Sequence, residues 1–402
     1  MSDLAVVGIG ADGWAGLGER ARAVLGRSRL IVGSERQLGL LPDGLAPARR
    51  WPSPIQPLLD EVIGDERPGT VSVLASGDPM LYGIGATLAE RVNSARLTII
   101  PHPSAWAIAC ARLGWASREV DLVSTVARPL DAVRAWLQPR RRLVIYLAGA
   151  DGASQLAAML IDAGYGASRF IVLEQLGGER ERIRETTAER WDGRAVDPLY
   201  AVAVEAVRDP EAALLPRAPG LPDEAYENDG QLTKRHVRAV TLAVLAPAPH
   251  ALLWDVGAGS GSIAIEWLRA EPTSQASAIE RAPPRAQRAM RNAAVLGVPR
   301  LHVITGSAPE ALLHLPTPDA VFIGGGVTTA GLVDTCYQAL APGGRLVANA
   351  VTLESEQIVF ESRERHGGNL TRLSVAHAGP VGSFTAWRPQ LPVTQWHVEK
   401  SA

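Results

Sequence analysis

Residues Leu252–Glu266, LLWDVGAGSGSIAIE, decide the fold of the C-terminal half. An apolar, β-type run delivers Asp255, glycines follow at 257, 259 and 261, and a helical pattern starts at once. Glycines let the backbone pass close to a ligand, and a helix start presents unpaired N–H groups. A dinucleotide fold uses the same device for a pyrophosphate. Two details point elsewhere. The spacing is G-x-G-x-G, with Ser262 where the nucleotide fingerprint places its third glycine, and an aspartate stands two residues before the first glycine.

S-adenosylmethionine has no phosphate but carries an ammonium group, which an acidic strand end can help hold, directly or through water. Asp255, Gly257, Ala258, Gly259, Ser260 and Gly261 are therefore the candidate cofactor-binding turn. Working outward, strand Ala276–Ile279 leads to Glu280, where a carboxylate can accept hydrogen bonds from both ribose hydroxyls. Strand Leu301–Thr305 ends in Gly306-Ser307-Ala308, and the small Gly306 and Ala308 leave room for an adenine ring. Strand Ala320–Ile323 ends in Gly324-Gly325-Gly326, at the sheet edge where α/β proteins bind ligands, so Gly324 and Gly325 are substrate candidates. Leu340–Val347 feeds a fifth strand. Leu370–His377 and Ser383–Arg388, joined by Ala378–Gly382, read as a terminal antiparallel hairpin. The expected fold is α/β and Rossmann-like.

Upstream, prolines at 210, 216, 219 and 222 mark a boundary. It divides residues 1–207, a linker 208–228, and a second domain 229–402. In the first domain, short apolar runs at Leu4–Gly8, Leu30–Gly33, Val71–Ala75, Leu97–Ile100, Leu143–Tyr146, Phe170–Leu173 and Leu199–Val207 alternate with helical stretches such as Pro129–Leu137. That alternation predicts parallel α/β sheets. Gly8, Gly10 and Gly13 spell G-x-G-x-x-G after a strand, with Glu35 downstream, which is a nicotinamide-dinucleotide fingerprint by rule. However, Ala11–Gly16 delays the helix beyond the last glycine, whereas the fingerprint needs that glycine in the helix's first turn. An NAD oxidoreductase using Gly8–Gly13 stays as a competing reading. Gly77, Asp78 and Pro79 follow a strand and, by themselves, make an ordinary turn.

A chain of 402 residues predicts two or three domains. A net charge of −2 gives no general attraction to nucleic acid or acidic membranes. An RNA or protein methyltransferase, a third possibility, is disfavoured by the absence of a basic patch and by the N-terminal domain. Lys234 and Lys400 are the only lysines, so the basic residues are almost all arginine. Cys110 and Cys336 have no partner at metal-ligand spacing, and no metal is expected. No leader pattern and no run of 18 apolar residues appears, so the expected location is the cytoplasm.

Two resemblances sharpen this reading. Tyr226–Pro247, YENDGQLTKRHVRAVTLAVLAP, resembles the start of the cobalamin-pathway methyltransferases that act on precorrin-6Y, and the following 150 residues resemble the class I methyltransferase fold. The resemblance implies that Thr233 contacts the cofactor, and that Gly257–Gly261, Glu280 and Ala308 match further cofactor positions. His236 stands where glutamate is more usual. In the N-terminal half, Ala75–Gly83 (ASGDPMLYG) and Pro101–Gly114 (PHPSAWAIACARLG) resemble the tetrapyrrole methylases. In that family the cofactor lies between two α/β subdomains, beside the loop here formed by Gly77, Asp78 and Pro79, and the turn at Gly8 and Gly10 faces the tetrapyrrole. Ala11 replaces the usual proline, and Gly16-Leu17 the usual Leu-Thr.

Joined in this order, the halves resemble the precorrin-6Y C5,15-methyltransferases (decarboxylating). That implies a precorrin substrate, S-adenosylmethionine, methylation at C5 by the N-terminal half, and methylation at C15 with loss of the C12 acetate carboxyl by the C-terminal half. It also implies a homo-oligomer. No metal or nucleophilic triad is required. The proton donor stays open among Glu227, His236 and His302, and Arg235 and Arg238 are candidates for pairing with substrate carboxylates.

Overall fold

The computed structural model describes residues 3–401. The chain divides into two compact units: one takes the described residues to Arg128 with Pro139–Glu211, the other Pro129–Gln138 with the described residues from Ala212 onward.

The first unit holds two five-stranded sheets. Strands β1 (Asp3–Ile9), β2 (Leu30–Gly33), β3 (Ala48–Arg50), β4 (Thr70–Ser76) and β5 (Leu97–Ile100) form an all-parallel sheet in the order β3-β2-β4-β1-β5. Residues Leu4–Ile9 of β1 are continuously buried, as a parallel strand covered on both faces requires. The second sheet contains β6 (Val120–Ser124), β7 (Arg142–Tyr146), β8 (Arg169–Glu174), β9 (Arg182–Thr187) and β10 (Tyr200–Glu205), in the order β6-β7-β10-β8-β9. Here the β6–β7 pairing is parallel and the other three are antiparallel. The sequence predicts parallel pairing throughout, and that fails at β10, which runs antiparallel to both β7 and β8, and where β8 turns into β9. A strand that returns through a short loop must pair antiparallel. Strand β9 reads RIRETT, whose charged edge character hides it from an apolar-run search. The predicted helix at Pro129–Leu137 is instead a 3₁₀ segment, Leu130–Trp136. It packs within the second unit, where the Arg217 guanidinium stacks 4.6 Å from the Trp136 ring.

The second unit is built on β11 (Leu252–Val256), β12 (Gln275–Glu280), β13 (His302–Thr305), β14 (Ala320–Ile323), β15 (Arg345–Ala350) and β16 (Asn369–Leu373). Next come β17 (Ala376–Val381), β18 (Phe384–Pro389) and β19 (Val393–Glu399). Seven of these form one sheet, β13-β12-β11-β14-β15-β19-β16, parallel through β15, with β19 antiparallel between β15 and β16. The predicted terminal hairpin resolves differently. Antiparallel closure is made by β16 and β19, while β17 and β18 form a separate two-stranded ribbon turning at Gly382-Ser383. Gly382 has φ +60°, as a tight two-residue hairpin loop demands. Trp267 and Trp396 are fully buried, and each indole N–H donates to a carbonyl, of Gln275 and Gly367 respectively. Strand order reverses between β11 and β14, the crevice position where ligands bind in open α/β sheets. Among the described residues no helix is long and apolar enough to cross a membrane.

Candidate active site

A cavity of about 1070 Å³ opens at the carboxyl ends of β11–β14. Thr233, Asp255, Gly257, Ala258, Gly259, Ser260, Glu280, Gly306, Ala308, Gly324 and Gly325 all line it. Gly261 does not. It caps the helix Ser262–Ala270 at φ +77°, where a Cβ would press on that of Ala289 at 3.1 Å. Gly257 has φ +71°, and a Cβ there would lie 2.7 Å from the Gly325 backbone. Gly259, at φ +57°, faces open space, its nearest neighbour being the Gln231 carbonyl at 4.0 Å.

Asp255 is buried at the end of β11. Its Oδ2 accepts the Ala264 N–H at 3.0 Å, while Oδ1 has no partner among the described residues. Burial pushes the Asp255 carboxyl up to about 7, with a smaller contribution from the Glu280 charge. The Ser260 hydroxyl is also buried, without a partner among the described residues. Glu280 accepts the Gly259 N–H at 2.9 Å and the Ala282 N–H at 2.8 Å, pinning the glycine turn to the end of β12. Each carboxylate oxygen retains a further lone pair.

The segment that brings Thr233 to the cavity is held from beneath. Arg238 is wholly buried and pairs with Glu266 at 2.6 Å, and it also donates to the carbonyls of Leu221 and Thr233. Glu266 further accepts the N–H groups of Gly220 and Leu221 and the Tyr226 hydroxyl. Arg238 is therefore an internal strut and not the substrate-facing cation of the sequence reading. Its partner lies 28 residues away on another helix, which a helix-face argument does not reveal.

The proton-donor candidates do not line the cavity. Glu227 is ion-paired with Arg291 at 2.7 Å, and its carboxyl is held below the usual range, first by that hydrogen bond. His302 sits on β13 beside Ser277, and the His236 ring lies 5.4 Å from that of His377. Polar groups that the sequence reading missed do line it: Gln231, Lys234, Arg281, Asn349 and Gln390. Asn349 is fixed by Thr241 at 3.1 Å and Gln395 at 2.9 Å. Polar side chains inside the runs RLVANA and VTQWHVE are the signal that could have found this trio.

In the first unit, Gly8 lies near the end of β1 and Gly10 just past it, and Gly77, Asp78 and Pro79 follow the adjacent strand β4, with Gly8 in register with Ala75. The structure brings Gly8 against Gly77, whose N–H donates to the Ile9 carbonyl. A Cβ on Gly8 would strike the Gly77 carbonyl, and one on Gly10 would lie 2.5 Å from Asp12 Oδ1 and 2.6 Å from His102 Nε2. Asp78 Oδ1 accepts the Met80 N–H at 2.8 Å, so its side chain shapes its own loop. His102, which the sequence reading passed over, stands just past β5 with Nε2 3.2 Å from Asp12 Oδ1. After Gly13 a single turn, Gly13–Gly16, breaks at an extended Leu17, and the main helix runs over Glu19–Gly26.

Residues 224–400 match a family described as "Precorrin methyltransferase domain". Residues 3–192 match "Tetrapyrrole (Corrin/Porphyrin) Methylases". A precorrin-6Y C(5,15)-methyltransferase [decarboxylating] from Sinorhizobium sp is 46% identical over 98% of this chain and 95% of its own length. A Mycobacterium tuberculosis protein of the same description is 45% identical over 98% of this chain and 99% of its own. A shorter relative from Pyrobaculum aerophilum is described as a probable cobalt-precorrin-6B C(15)-methyltransferase (decarboxylating). It is 33% identical over 44% of this chain and 93% of its own length.

Proposed function

The chain belongs to the precorrin-6Y C5,15-methyltransferase (decarboxylating) family, and on that premise we propose that it methylates a precorrin at C5 and C15, with S-adenosylmethionine as methyl donor, and decarboxylates the C12 acetate in cobalamin biosynthesis. The C-terminal half takes the C15 step and the decarboxylation, a division supported by the shorter relative described with those two activities alone. Methylation at C5 then falls to the N-terminal half.

The observation that carries this reading is the cavity over the glycine turn. Its residues fit the cofactor chemically. Asp255 Oδ1 and the Ser260 hydroxyl are buried polar atoms with no protein partner, suited to an amino-acid ammonium and its hydration. Gly257 and Gly259 present bare backbone, Glu280 keeps lone pairs for ribose hydroxyls, and Gly306 with Ala308 leaves space for a base. Bound S-adenosylmethionine would supply an electrophilic methyl group. The chain's contribution is to hold the macrocycle's carbon nucleophile in line with it and to exclude water. The cavity is large for a cofactor alone, leaving room for part of a macrocycle. In the first unit, Gly77, Asp78 and Pro79 are proposed to meet the cofactor, and Gly8 and Gly10 the tetrapyrrole; Gly324 and Gly325 are proposed to meet it in the second. The functional division is proposed to follow residues 1–207, a linker 208–228, and 229–402. The same reading places the enzyme in the cytoplasm as a homo-oligomer. The competing NAD reading is not supported: the main helix starts six residues past Gly13, and the relatives are described as methyltransferases.

Full-length Gly257→Val and Asp78→Ala chains test the division. The first should yield product lacking the C15 methyl with every carboxylate retained, and the second product lacking the C5 methyl. Loss of the same methyl from both would overturn it.

A further inference from the structure

Methylation of a meso C–H carbon releases a proton, and the first unit offers one polar pair placed to receive it. The His102 imidazole and the Asp12 carboxylate meet 3.2 Å apart, with side chains 8% and 31% exposed. They sit directly over the glycine turn of β1. A Cβ on Gly10 would come within 2.6 Å of both side chains, and one on Gly16 would overlap the Asp12 carboxylate. One Cβ-free turn therefore seats both groups at the carboxyl edge of the parallel sheet, the edge where α/β folds place ligands. The Asp12 contact is the one polar contact the His102 ring makes among the described residues, so Nδ1 has no protein partner. The approach is an ion-pair contact and not a formed hydrogen bond, since Asp12 Oδ1 has no hydrogen-bond partner among the described residues. The carboxylate charge beside Nε2 still favours a proton there, which leaves the Nδ1 lone pair as acceptor.

We propose that His102, oriented by Asp12, is the general base of the C5 methylation, an inference that rests on the reading of the N-terminal unit as the C5 methylase. The π electrons at C5 form the new C–CH3 bond as the S–CH3 bond breaks, and S-adenosylhomocysteine leaves as a neutral thioether. The positive charge passes to the macrocycle. Nδ1 of His102 then takes the C5 proton, the C–H pair restores the conjugated system, and the imidazolium is balanced by Asp12 until water removes the proton. Imidazole is the side chain most used for such transfers, which contribute about 10²–10⁴-fold to rate.

The test uses the full chain with His102→Ala and Asp12→Asn variants, reduced precorrin substrate and mass spectrometry. His102→Ala should lose C5 methylation by at least about 100-fold. It should bind S-adenosylhomocysteine with the wild-type stoichiometry by calorimetry and regain C5 methylation when imidazole is added. Asp12→Asn, which keeps the shape, should show a primary isotope effect with C5-deuterated substrate that the wild type lacks. C5 methylation by His102→Ala within about threefold of wild type would overturn the proposal, as would joint loss of methylation and cofactor binding with no imidazole rescue. A wild-type chain that makes no C5-methylated product would instead overturn the reading beneath it.

Discussion

Two glycine-rich turns follow two parallel strands in this chain, and they use glycine for different reasons. At Gly8-x-Gly10-x-x-Gly13 only Gly13 has positive φ, while Gly8 and Gly10 are required by crowding from Gly77, Asp12 and His102. At Gly257-x-Gly259-x-Gly261 all three have positive φ, and two of them line an open cavity. The first turn makes room for the protein's own groups. The second turns on left-handed backbone and leaves open space beside Gly259. A glycine spacing alone therefore does not state what the glycines are for.

That contrast can be broken by alanine. Gly257→Ala should have the largest effect, since it combines an unfavourable left-handed backbone with a Cβ against Gly325, costing about 3 kcal/mol, and it should abolish cofactor binding in the second unit. Gly8→Ala adds the overlap without the backbone cost, so about 2 kcal/mol is expected. Thermal unfolding of the two full-length variants orders them. Equal or reversed losses would erase the distinction between crowding and φ. Gly259→Ala is milder: it meets only the Gln231 carbonyl at 4.0 Å, so stability should fall by about 1 kcal/mol. Cofactor affinity should nonetheless drop at least tenfold, and an unchanged Kd would mean that this face of the turn touches nothing.

A different kind of effect is a pH dependence. The Asp255 carboxyl titrates at about 7 in the fold, against 3.8 ordinarily. An acid raised in this way favours its neutral form in the fold, so it costs increasing stability as pH climbs from about 4 to about 7 and a constant amount above that. Ligand-free Asp255→Asn should therefore gain Tm relative to wild type across that window and hold the gain at pH 8. An ammonium ligand favours the carboxylate, so wild-type cofactor affinity should rise over the same window while that of Asp255→Asn stays flat. A wild-type affinity flat from pH 5 to 8 would remove Asp255 from the binding role.

The sequence yielded most where strands are buried on both faces. Runs such as LLWDV and AVFI are continuously apolar, so β11 and β14 are legible together with the glycines at their ends. Charged edge strands were not legible: β3 (ARR) and β9 (RIRETT) carry no apolar run, whereas the edge strands β5 and β13 do, and the reversed direction of β9 and β10 does not show in their composition. Among site residues, those that need small size or positive φ show in the spacing. Those defined by a distant partner do not, as with Arg238 on Glu266, Asn349 on Gln395, and His102 on Asp12.

The most direct test of the central claim is anaerobic turnover of reduced precorrin substrate by the intact chain with labelled S-adenosylmethionine, read by mass spectrometry. The account predicts one product heavier by two labelled methyl groups and lighter by one carbon dioxide. A product with a single methyl, or one that retains every carboxylate, would contradict it.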